Sequence, residues 1–152
     1  MLSNKLLIFR LGNGKYACDT NYVDRIIKYE NLTYLPSLQP SLEGLYNYEG
    51  QVIKIYNIAI LLGIGIKNEG ANKKIIIIKH KDVLVGFVVN EVLEVFNYFR
   101  EIEDKTRDIK SAINVNQLDF QYVKDMILIN DEIVIYLRMD KIVDKELGES
   151  DE

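Results

Sequence analysis

The chain has 152 residues, a net charge of −4 and 48% hydrophobic residues, which suits one domain or two small subdomains that share a core. Its single cysteine, Cys18, excludes an intramolecular disulfide and a multi-cysteine zinc site. No stretch approaches the ~18 uninterrupted apolar residues of a membrane span, and the N-terminus lacks the layout of a signal peptide. We therefore expect a soluble, cytoplasmic protein without membrane insertion.

The negative charge is concentrated at the C-terminal end. Residues 140–152 hold six acidic residues and two lysines, so this segment accounts for the whole net charge. Neither this segment nor the rest of the chain has the basic field of a nucleic-acid binder. We expect no nucleic-acid partner, one domain over residues 1–148, and a short acidic tail over residues 149–152.

The first elements are a predicted hairpin and a predicted helix. Residues 6–11 alternate between apolar and polar faces, and residues 15–19 form the returning strand. Between them, Asn13 and Gly14 predict a type I′ turn, because both residue types accept a positive φ. Residues 21–28 predict a short helix. Its apolar face would hold Val23, Ile26 and Ile27.

The central part reads as a second hairpin followed by a linker. Residues 29–35 are predicted to be extended, and residues 44–58 read as strand, tight turn and strand. Residues 58–62 are ambiguous between a helical turn and a buried strand. The glycine-containing residues 63–70 are interpreted as a linker and not as a phosphate loop, because no Lys-Ser/Thr pair follows them.

The next strands carry the most apolar sequence. Residues 74–79 contain four consecutive isoleucines, which predict a strand buried on both faces. Residues 83–89 form the next strand, and Gly86 within it indicates a bulge or a close backbone approach. Residues 100–116 are interpreted as connecting chain with a short strand near Ile113.

The chain closes with a hairpin and a helix. Residues 122–129 and 133–137 would pair around Asn130 and Asp131, and residues 140–147 read as a helix that stops at Gly148. Many short strands with tight turns predict small β-barrels, because closure removes exposed sheet edges.

No constellation of reactive residues emerges from the sequence. His80, the only histidine, lies between two lysines at a predicted turn, without partners for catalysis or metal binding. The acidic residues of 101–108 are interspersed with Lys105 and Arg107, which favours a solvated surface over a glycosidase pair. We predict no catalytic residue, no metal site and no cofactor, and hence a binding protein that is not an enzyme.

Residues 44–58 resemble the signature of the CheW family, the adaptors that join bacterial chemoreceptors to the histidine kinase CheA. In that family the turn usually reads Asn-Leu-Arg-Gly and precedes an apolar strand with a proline and then an aspartate. Asn47 and Gly50 match this pattern, whereas Glu49, Lys54 and Asn57 replace the arginine, the proline and the aspartate.

The resemblance extends over most of residues 6–147. Residues 7–12, 16–19, 23–26 and 86–92 are similar to family motifs in the same order. The resemblance implies a mainly β fold of two intertwined SH3-like five-stranded β-barrel subdomains, with short helices and a C-terminal helix. It also implies an adaptor without catalytic activity.

Two partners follow from the resemblance. The cytoplasmic tip of a chemoreceptor would bind in a groove between the subdomains, and the regulatory domain of CheA would bind through barrel ends. The turn that contains Asn47, Glu49 and Gly50 would lie near this groove. Carried over by position, the groove itself would involve Val23, Ile26, Gly44, Gly86 and Val92.

One departure from the family pattern looks compensated. The family commonly has an acidic residue at the position of Arg25 and an arginine at that of Glu49, so both charges are inverted together. We hypothesise that Arg25 and Glu49 form an ion pair that orients the groove edge and contributes to partner binding. Lys54, Asn57 and Ala59 also depart from the family pattern, and the sequence offers them no compensating partner.

Two other interpretations stay open at the sequence level. One is a CheW-like interaction module of another two-component or type IV pilus pathway. The other is a small β-barrel enzyme or nucleic-acid binder, since the ten tyrosines would suit base stacking. The absence of basic flanks favours tyrosine packing in cores and interfaces instead.

Overall fold

A computed structural model describes residues 3–36, 39–64, 70–99 and 120–147. Within these ranges, ten strands form two five-stranded sheets, which we call barrel 1 and barrel 2. Barrel 1 has the strand order β8-β1-β2-β10-β9 and barrel 2 the order β3-β6-β7-β5-β4. The expected fold of two SH3-like subdomains is confirmed.

The strands of barrel 1 are β1 (Ser3–Leu11), β2 (Gly14–Asp19), β8 (Glu91–Phe99), β9 (Val123–Ile129) and β10 (Glu132–Leu137). Those of barrel 2 are β3 (Val23–Lys28), β4 (Leu42–Tyr48), β5 (Gln51–Asn57), β6 (Lys74–His80) and β7 (Val83–Val89). In the part of the chain that the structure describes, the helical elements are two 3₁₀ turns (Thr20–Tyr22 and Phe120–Tyr122), α1 (Ile58–Leu61), and α2 (Met139–Ile142) with its π-helical continuation (Val143–Leu147).

The two barrels are intertwined because barrel 2 is inserted into barrel 1. The chain leaves barrel 1 after β2, builds all of barrel 2, and returns to start β8. Asn90 is the returning residue, and it is buried. Its side-chain oxygen accepts a 2.7 Å hydrogen bond from the Gly12 amide, and its own amide donates to the Arg10 carbonyl. The start of β8 is thereby fixed to the β1–β2 hairpin.

Three apolar clusters form the core among the residues that the structure describes. One lies inside barrel 1, where Leu6, Ile8 and Tyr136 are buried. A second lies inside barrel 2, where Ile55 is buried. The third and largest, which we call the shared cluster, contains residues of both barrels and of the C-terminal helical segment. Its barrel members include Leu7, Phe9, Cys18, Tyr56, Ile76, Ile78, Phe87 and Val89.

This arrangement explains the four isoleucines of β6. Successive side chains of a strand point to opposite faces. Ile75 and Ile77 therefore enter barrel 2, whereas Ile76 and Ile78 enter the shared cluster, and all four are fully buried. The predicted burial of this strand on both faces is confirmed.

Each barrel is closed by a tyrosine–aspartate hydrogen bond between its two edge strands. In barrel 2 the Tyr48 hydroxyl of β4 donates to the Asp24 carboxylate of β3. In barrel 1 the Tyr98 hydroxyl of β8 donates to the Asp125 carboxylate of β9. Because the sheet ladder leaves these edges unpaired, the side-chain bonds join them where backbone hydrogen bonds do not.

Two local predictions were wrong. Residues 21–28 are not a helix: after the 3₁₀ turn, Val23–Lys28 form β3, which pairs antiparallel with β6. The helical spacing of the apolar residues was real, but pairing with a neighbouring strand overrode it. In the first hairpin the turn residues are Gly12 and Asn13, and only Gly12 has a positive φ (60°). This is the pattern of a type II′ turn and not of the predicted type I′ turn.

Other predictions were resolved or confirmed. Residues 58–61 are helical, because the Asn57 side chain caps α1 by accepting from the amides of Ala59 and Ile60. Asn130 and Asp131 both have positive φ (52° and 66°), as a type I′ hairpin requires. The terminal helix begins at Met139. The strand near Ile113, residues 65–69 of the linker, Gly148 and the tail lie outside the described residues.

Gly86 marks a close approach and not a bulge. The β6–β7 register passes through Gly86 without a shift. A Cβ atom at this position would lie 2.5 Å from Ile55 Cδ1 and 2.8 Å from Ile75 Cγ2, both inside barrel 2. The glycine is therefore required by packing. Among the described residues, no helix is long and apolar enough to cross a membrane.

We expect Gly86→Ala to lower the free energy of unfolding by about 1–3 kcal/mol, because it overpacks barrel 2. Ile55→Val removes the methyl group nearest to the new Cβ, so the double variant should lose less stability than the two single variants predict by addition. Urea denaturation of the four proteins measures this coupling. Simple additivity would contradict the packing explanation.

Cys18 lies in the shared cluster, and its thiol makes the stability of the folded protein depend on pH in the alkaline range. Burial, reinforced by the charge of Asp19, raises the pKa of its thiol from 9.0 to about 12. The folded state therefore holds a proton that the unfolded state releases above pH 9. The resulting contribution to stability is present below pH 9 and is lost as the pH rises towards 12.

Between pH 9 and pH 11 we expect the free energy of unfolding of the native sequence to fall more steeply than that of Cys18→Ala, by about 1 kcal/mol per pH unit. Urea denaturation across this range measures both slopes. The thiol should also react with a thiol reagent at pH 8 far more slowly in the folded than in the urea-unfolded protein. Equal slopes, or fast labelling of the folded protein, would show that Cys18 is accessible.

Candidate partner-binding surface

Arg25 and Glu49 form the hypothesised ion pair. Arg25 Nη2 of β3 lies 2.9 Å from Glu49 Oε2 in the β4–β5 turn. The Arg25 guanidinium also lies over the Tyr48 ring, 5.4 Å from its centroid. Because Tyr48 itself bonds Asp24, two adjacent contacts join the same two edge strands. We call these four residues the edge clamp. The pairing predicted from the inverted charges is confirmed.

The two contacts of the edge clamp, Arg25–Glu49 and Tyr48–Asp24, differ in burial. The Arg25 and Glu49 side chains are 55% and 62% exposed, so their attraction is screened by solvent. Tyr48 is buried, and its pKa is raised to about 12 by burial and by its hydrogen bond to Asp24. The phenol therefore stays a protonated donor at neutral pH. The inner contact closes the barrel, and the outer contact presents charge to solvent.

The turn that carries Glu49 is built by two matched residues of the signature. Glu49 and Gly50 both have positive φ values (53° and 87°). The Asn47 side-chain oxygen accepts a 2.9 Å hydrogen bond from the Gly50 amide. This bond and the conformational freedom of glycine explain why asparagine and glycine suit these positions. Their local role is to hold Glu49 in reach of Arg25.

Three of the predicted groove residues lie at the margin of the shared cluster. Val23 of β3 and Val92 of β8 are partly buried against it, and they belong to edge strands of different barrels. Ile26 faces the same side of β3, because it pairs opposite Ile76, and it is 38% exposed. Val95, opposite Leu7, continues the apolar surface on β8 and is 56% exposed. We call Val23, Ile26, Val92 and Val95 the apolar margin.

The two predicted glycines lie elsewhere. Gly86 is buried inside barrel 2, as described above. Gly44 lies on β4, and a Cβ atom there would lie 2.8 Å from the Thr33 carbonyl oxygen. That close approach lets Thr33 pair with Leu45 on the free edge of β4. Neither glycine has a side chain to offer a partner, and both act through packing.

A polar network beside α1 was missed by the sequence analysis. Glu43 accepts a 2.7 Å hydrogen bond from the Tyr29 hydroxyl and a 3.3 Å bond from the Asn57 side-chain amide. Burial, followed by the hydrogen bond to Glu43 and its charge, raises the pKa of Tyr29 to about 12. The network joins the β3–β4 connection to the end of β5. No sequence motif marks this network, because Glu43 belongs to none of the family patterns.

This network corrects the expectation that Asn57 has no compensating partner. An aspartate at this position would place a second carboxylate against Glu43, whereas the amide of Asn57 donates to it. The asparagine oxygen still caps α1. Lys54 is exposed on β5, and Ala59 is buried in α1.

The site presents exposed apolar side chains and a charged pair. Within the described part of the chain, no group of three or more histidine, cysteine or acidic residues could hold a metal ion. Two barrels that meet at one core, with exposed apolar residues beside a charged clamp, define a protein-interaction domain.

The comparisons with known proteins agree with this class. A CheW-like domain model matches residues 5–147. Chemotaxis protein CheW of Thermotoga maritima is 30% identical over 93% of this chain and 88% of its own length. Chemotaxis protein CheW of Bacillus subtilis is 22% identical over 96% of this chain and 90% of its own length.

The fold agrees as well. The crystal structure of scaffolding protein TtCheW from Thermoanaerobacter tengcongensis superimposes with a TM-score of 0.79 at 20% identity, and covers 98% of this chain and 93% of that one. The chain belongs to the CheW-like family. It is a chemotaxis coupling adaptor, a class of scaffold protein.

Exchanging the charges at positions 25 and 49 tests what their ion pair contributes to stability. We expect Arg25→Glu and Glu49→Arg each to destabilise the protein slightly, because each places like charges together, and the double swap to recover the loss. The coupling free energy should be about 0.2–1 kcal/mol, as for other exposed pairs. Urea denaturation of the four proteins at low salt measures it.

The coupling should shrink in 1 M salt, where the screening length is about 3 Å. Tyr48→Phe is the matched variant for the inner contact, and its destabilisation should be insensitive to salt. A salt-independent coupling between positions 25 and 49 would mean that the two side chains do not interact as charges.

Proposed function

We propose that this protein acts in the cytoplasm by binding the cytoplasmic tip of chemoreceptors and the regulatory domain of a CheA-type histidine kinase, with no catalytic activity and no cofactor. The observation that carries the proposal is the apolar margin beside the edge clamp. Family membership supports it, because the relatives from Thermotoga and Bacillus are named as chemotaxis proteins.

The apolar margin suits a receptor tip made of helices. An amphipathic helix binds by laying its apolar face against an apolar strip, with polar groups at the rim. Val23 and Val92 supply apolar contacts from the two barrels, and Ile26 extends them outwards. Arg25 lies on the same edge strand as Val23 and Ile26, and its ion pair with Glu49 of the β4–β5 turn provides the charged rim.

We propose that the regulatory domain of CheA binds at one end of barrel 1. Leu128 of β9 and Ile133 of β10 are directly opposite each other in the hairpin, and are 63% and 42% exposed. They belong to barrel 1 and lie on strands different from those of the apolar margin. A separate apolar patch of this kind would let the kinase bind without displacing the receptor.

Simultaneous binding supplies the coupling mechanism. A kinase held by one surface is at a high effective concentration for a receptor held by the other, so the ternary assembly is stronger than either pair. The polarity of the edge clamp adds specificity. Exchanging the acidic and basic positions changes the potential that a partner meets, which affects association rate and partner choice.

Co-sedimentation with receptor-tip fragments and CheA from the same organism tests the proposal, first as pairs and then with all three proteins. We expect Ile26→Asp to lower receptor affinity by at least about tenfold, equivalent to 1.4 kcal/mol, because it buries a charge against an apolar partner. It should leave the binary interaction with CheA unchanged. Val23→Asp should have the same effect.

Leu128→Asp is the matched control, since it places the same charge on an exposed apolar residue of barrel 1. It should weaken CheA binding and spare the receptor. CheA binding without any receptor binding would point to an adaptor for another input pathway. Binding of the native protein to neither partner would overturn the proposal.

A further inference from the structure

Two lysines face each other at one end of barrel 2. Lys28 is the last residue of β3, and Lys74 is the first residue of β6. The antiparallel register of these strands places the two residues directly opposite each other. Side chains in such a pair have Cβ atoms about 4.5–5.5 Å apart, and like charges there destabilise the sheet. We call Lys28 and Lys74 the lysine pair.

No acidic side chain of the described ranges forms an ion pair with the lysine pair. The ion pairs found in those ranges involve other residues. Acidic residues are not scarce, because the chain has 23 of them against 19 lysines and arginines. The neighbouring Lys73 differs, since its Nζ atom lies 3.9 Å from the centroid of the Tyr29 ring, which stabilises the charge. The lysine pair thus places two positive charges together without a compensating group.

The lysine pair continues the apolar margin. Alternate residues of a strand share a face. Lys28 therefore lies on the face of Ile26, and Lys74 lies on the face of Ile76, whose side chain belongs to the shared cluster. Lys28 is exposed and Lys74 is half-buried. The apolar strip along β3 accordingly ends in two positive charges.

We propose that the lysine pair binds acidic side chains of the partner helix that lies along the apolar margin. This inference rests on the proposed function and names the chemistry that the partner presents at that site. A carboxylate placed between the two ammonium groups relieves their repulsion, so the complex gains a contact that the free protein lacks. The repulsion weakens the free protein and is offset in the complex.

The geometry indicates where the partner helix carries its acidic residues. Ile26 and Lys28 are two residues apart, which is about 7 Å along the strand. One turn of a helix advances about 5.4 Å. A helix that runs along β3 should therefore carry aspartate or glutamate about one to two turns beyond the apolar residue that contacts Ile26. A helix with basic residues at that position should bind more weakly, because like charges would meet.

Charge reversal separates the effect of the lysine pair on folding from its effect on binding. Lys28→Glu converts a like-charge pair into an opposite-charge pair, so we expect the unfolding equilibrium constant of the free protein to fall by about 1.5-fold to fivefold. Urea denaturation of the full chain at low salt measures this change. Lys79→Glu is the matched control, because Lys79 is exposed on the same strand β6 and lies opposite Leu84. It alters the net charge equally and should not gain stability.

The same variants are then titrated with the receptor-tip fragment. We expect Lys28→Glu to lower receptor affinity by at least about fivefold at low salt. The loss should shrink in 1 M salt, where the screening length is about 3 Å. Lys79→Glu should bind like the native protein. A variant that is more stable and yet binds less tightly does not owe its weaker binding to unfolding.

The outcomes distinguish this inference from the proposed function on which it rests. Failure of the native protein to bind the receptor fragment would overturn the proposed function. Native binding that Lys28→Glu leaves unaltered would overturn only the role of the lysine pair, and so would an equal loss in Lys79→Glu. An unfolding equilibrium constant that does not fall in Lys28→Glu would show that the two charges do not repel each other, which overturns that role as well.

Discussion

The shared cluster is the constraint on which the rest of the structure depends. Two small barrels bury little apolar surface on their own, and a third cluster between them adds the residues that neither interior can hold. To build it, β1 and β6 must be apolar on both faces. Leu6 and Leu7 divide between barrel 1 and the shared cluster, as Ile75 and Ile76 divide between barrel 2 and the shared cluster.

Partner binding therefore depends on the edges of the sheets. The central strands β6 and β7 are buried over most of their length, so edge strands and hairpin ends offer much of the surface that partners can reach. The edges are closed by side chains, with Tyr48 and Asp24 in one barrel and Tyr98 and Asp125 in the other. Beside the first of these closures, Val23 and the ion pair of the edge clamp remain accessible. A scaffold can therefore vary its recognition surface without altering its core.

Much of the fold could be predicted because its signals are local. Four consecutive isoleucines indicate a strand buried on both faces, and the Asn130-Asp131 turn indicates a hairpin. The helix predicted over residues 21–28 failed for the opposite reason, since its apolar spacing suits either structure and pairing with β6 decided between them. The pairing of Arg25 with Glu49 was predictable because the two charges depart from the family pattern together. The pairing of Asn57 with Glu43 could not be predicted, because Glu43 belongs to none of the family motifs.

The sequence by itself determined the strand-rich class, the family and the two charges of the edge clamp, because these depend on residue order and on matched motifs. Only the tertiary structure decided which predicted site residues face solvent. At Gly44 and Gly86, backbone or side-chain atoms of other strands and loops occupy the space that a Cβ atom would need, whereas Ile26 lies at an open edge. Likewise, His80 reads as a turn residue in the sequence. Its burial against Tyr22 and Asp144 arises from three segments distant in the chain, whose meeting no local pattern records.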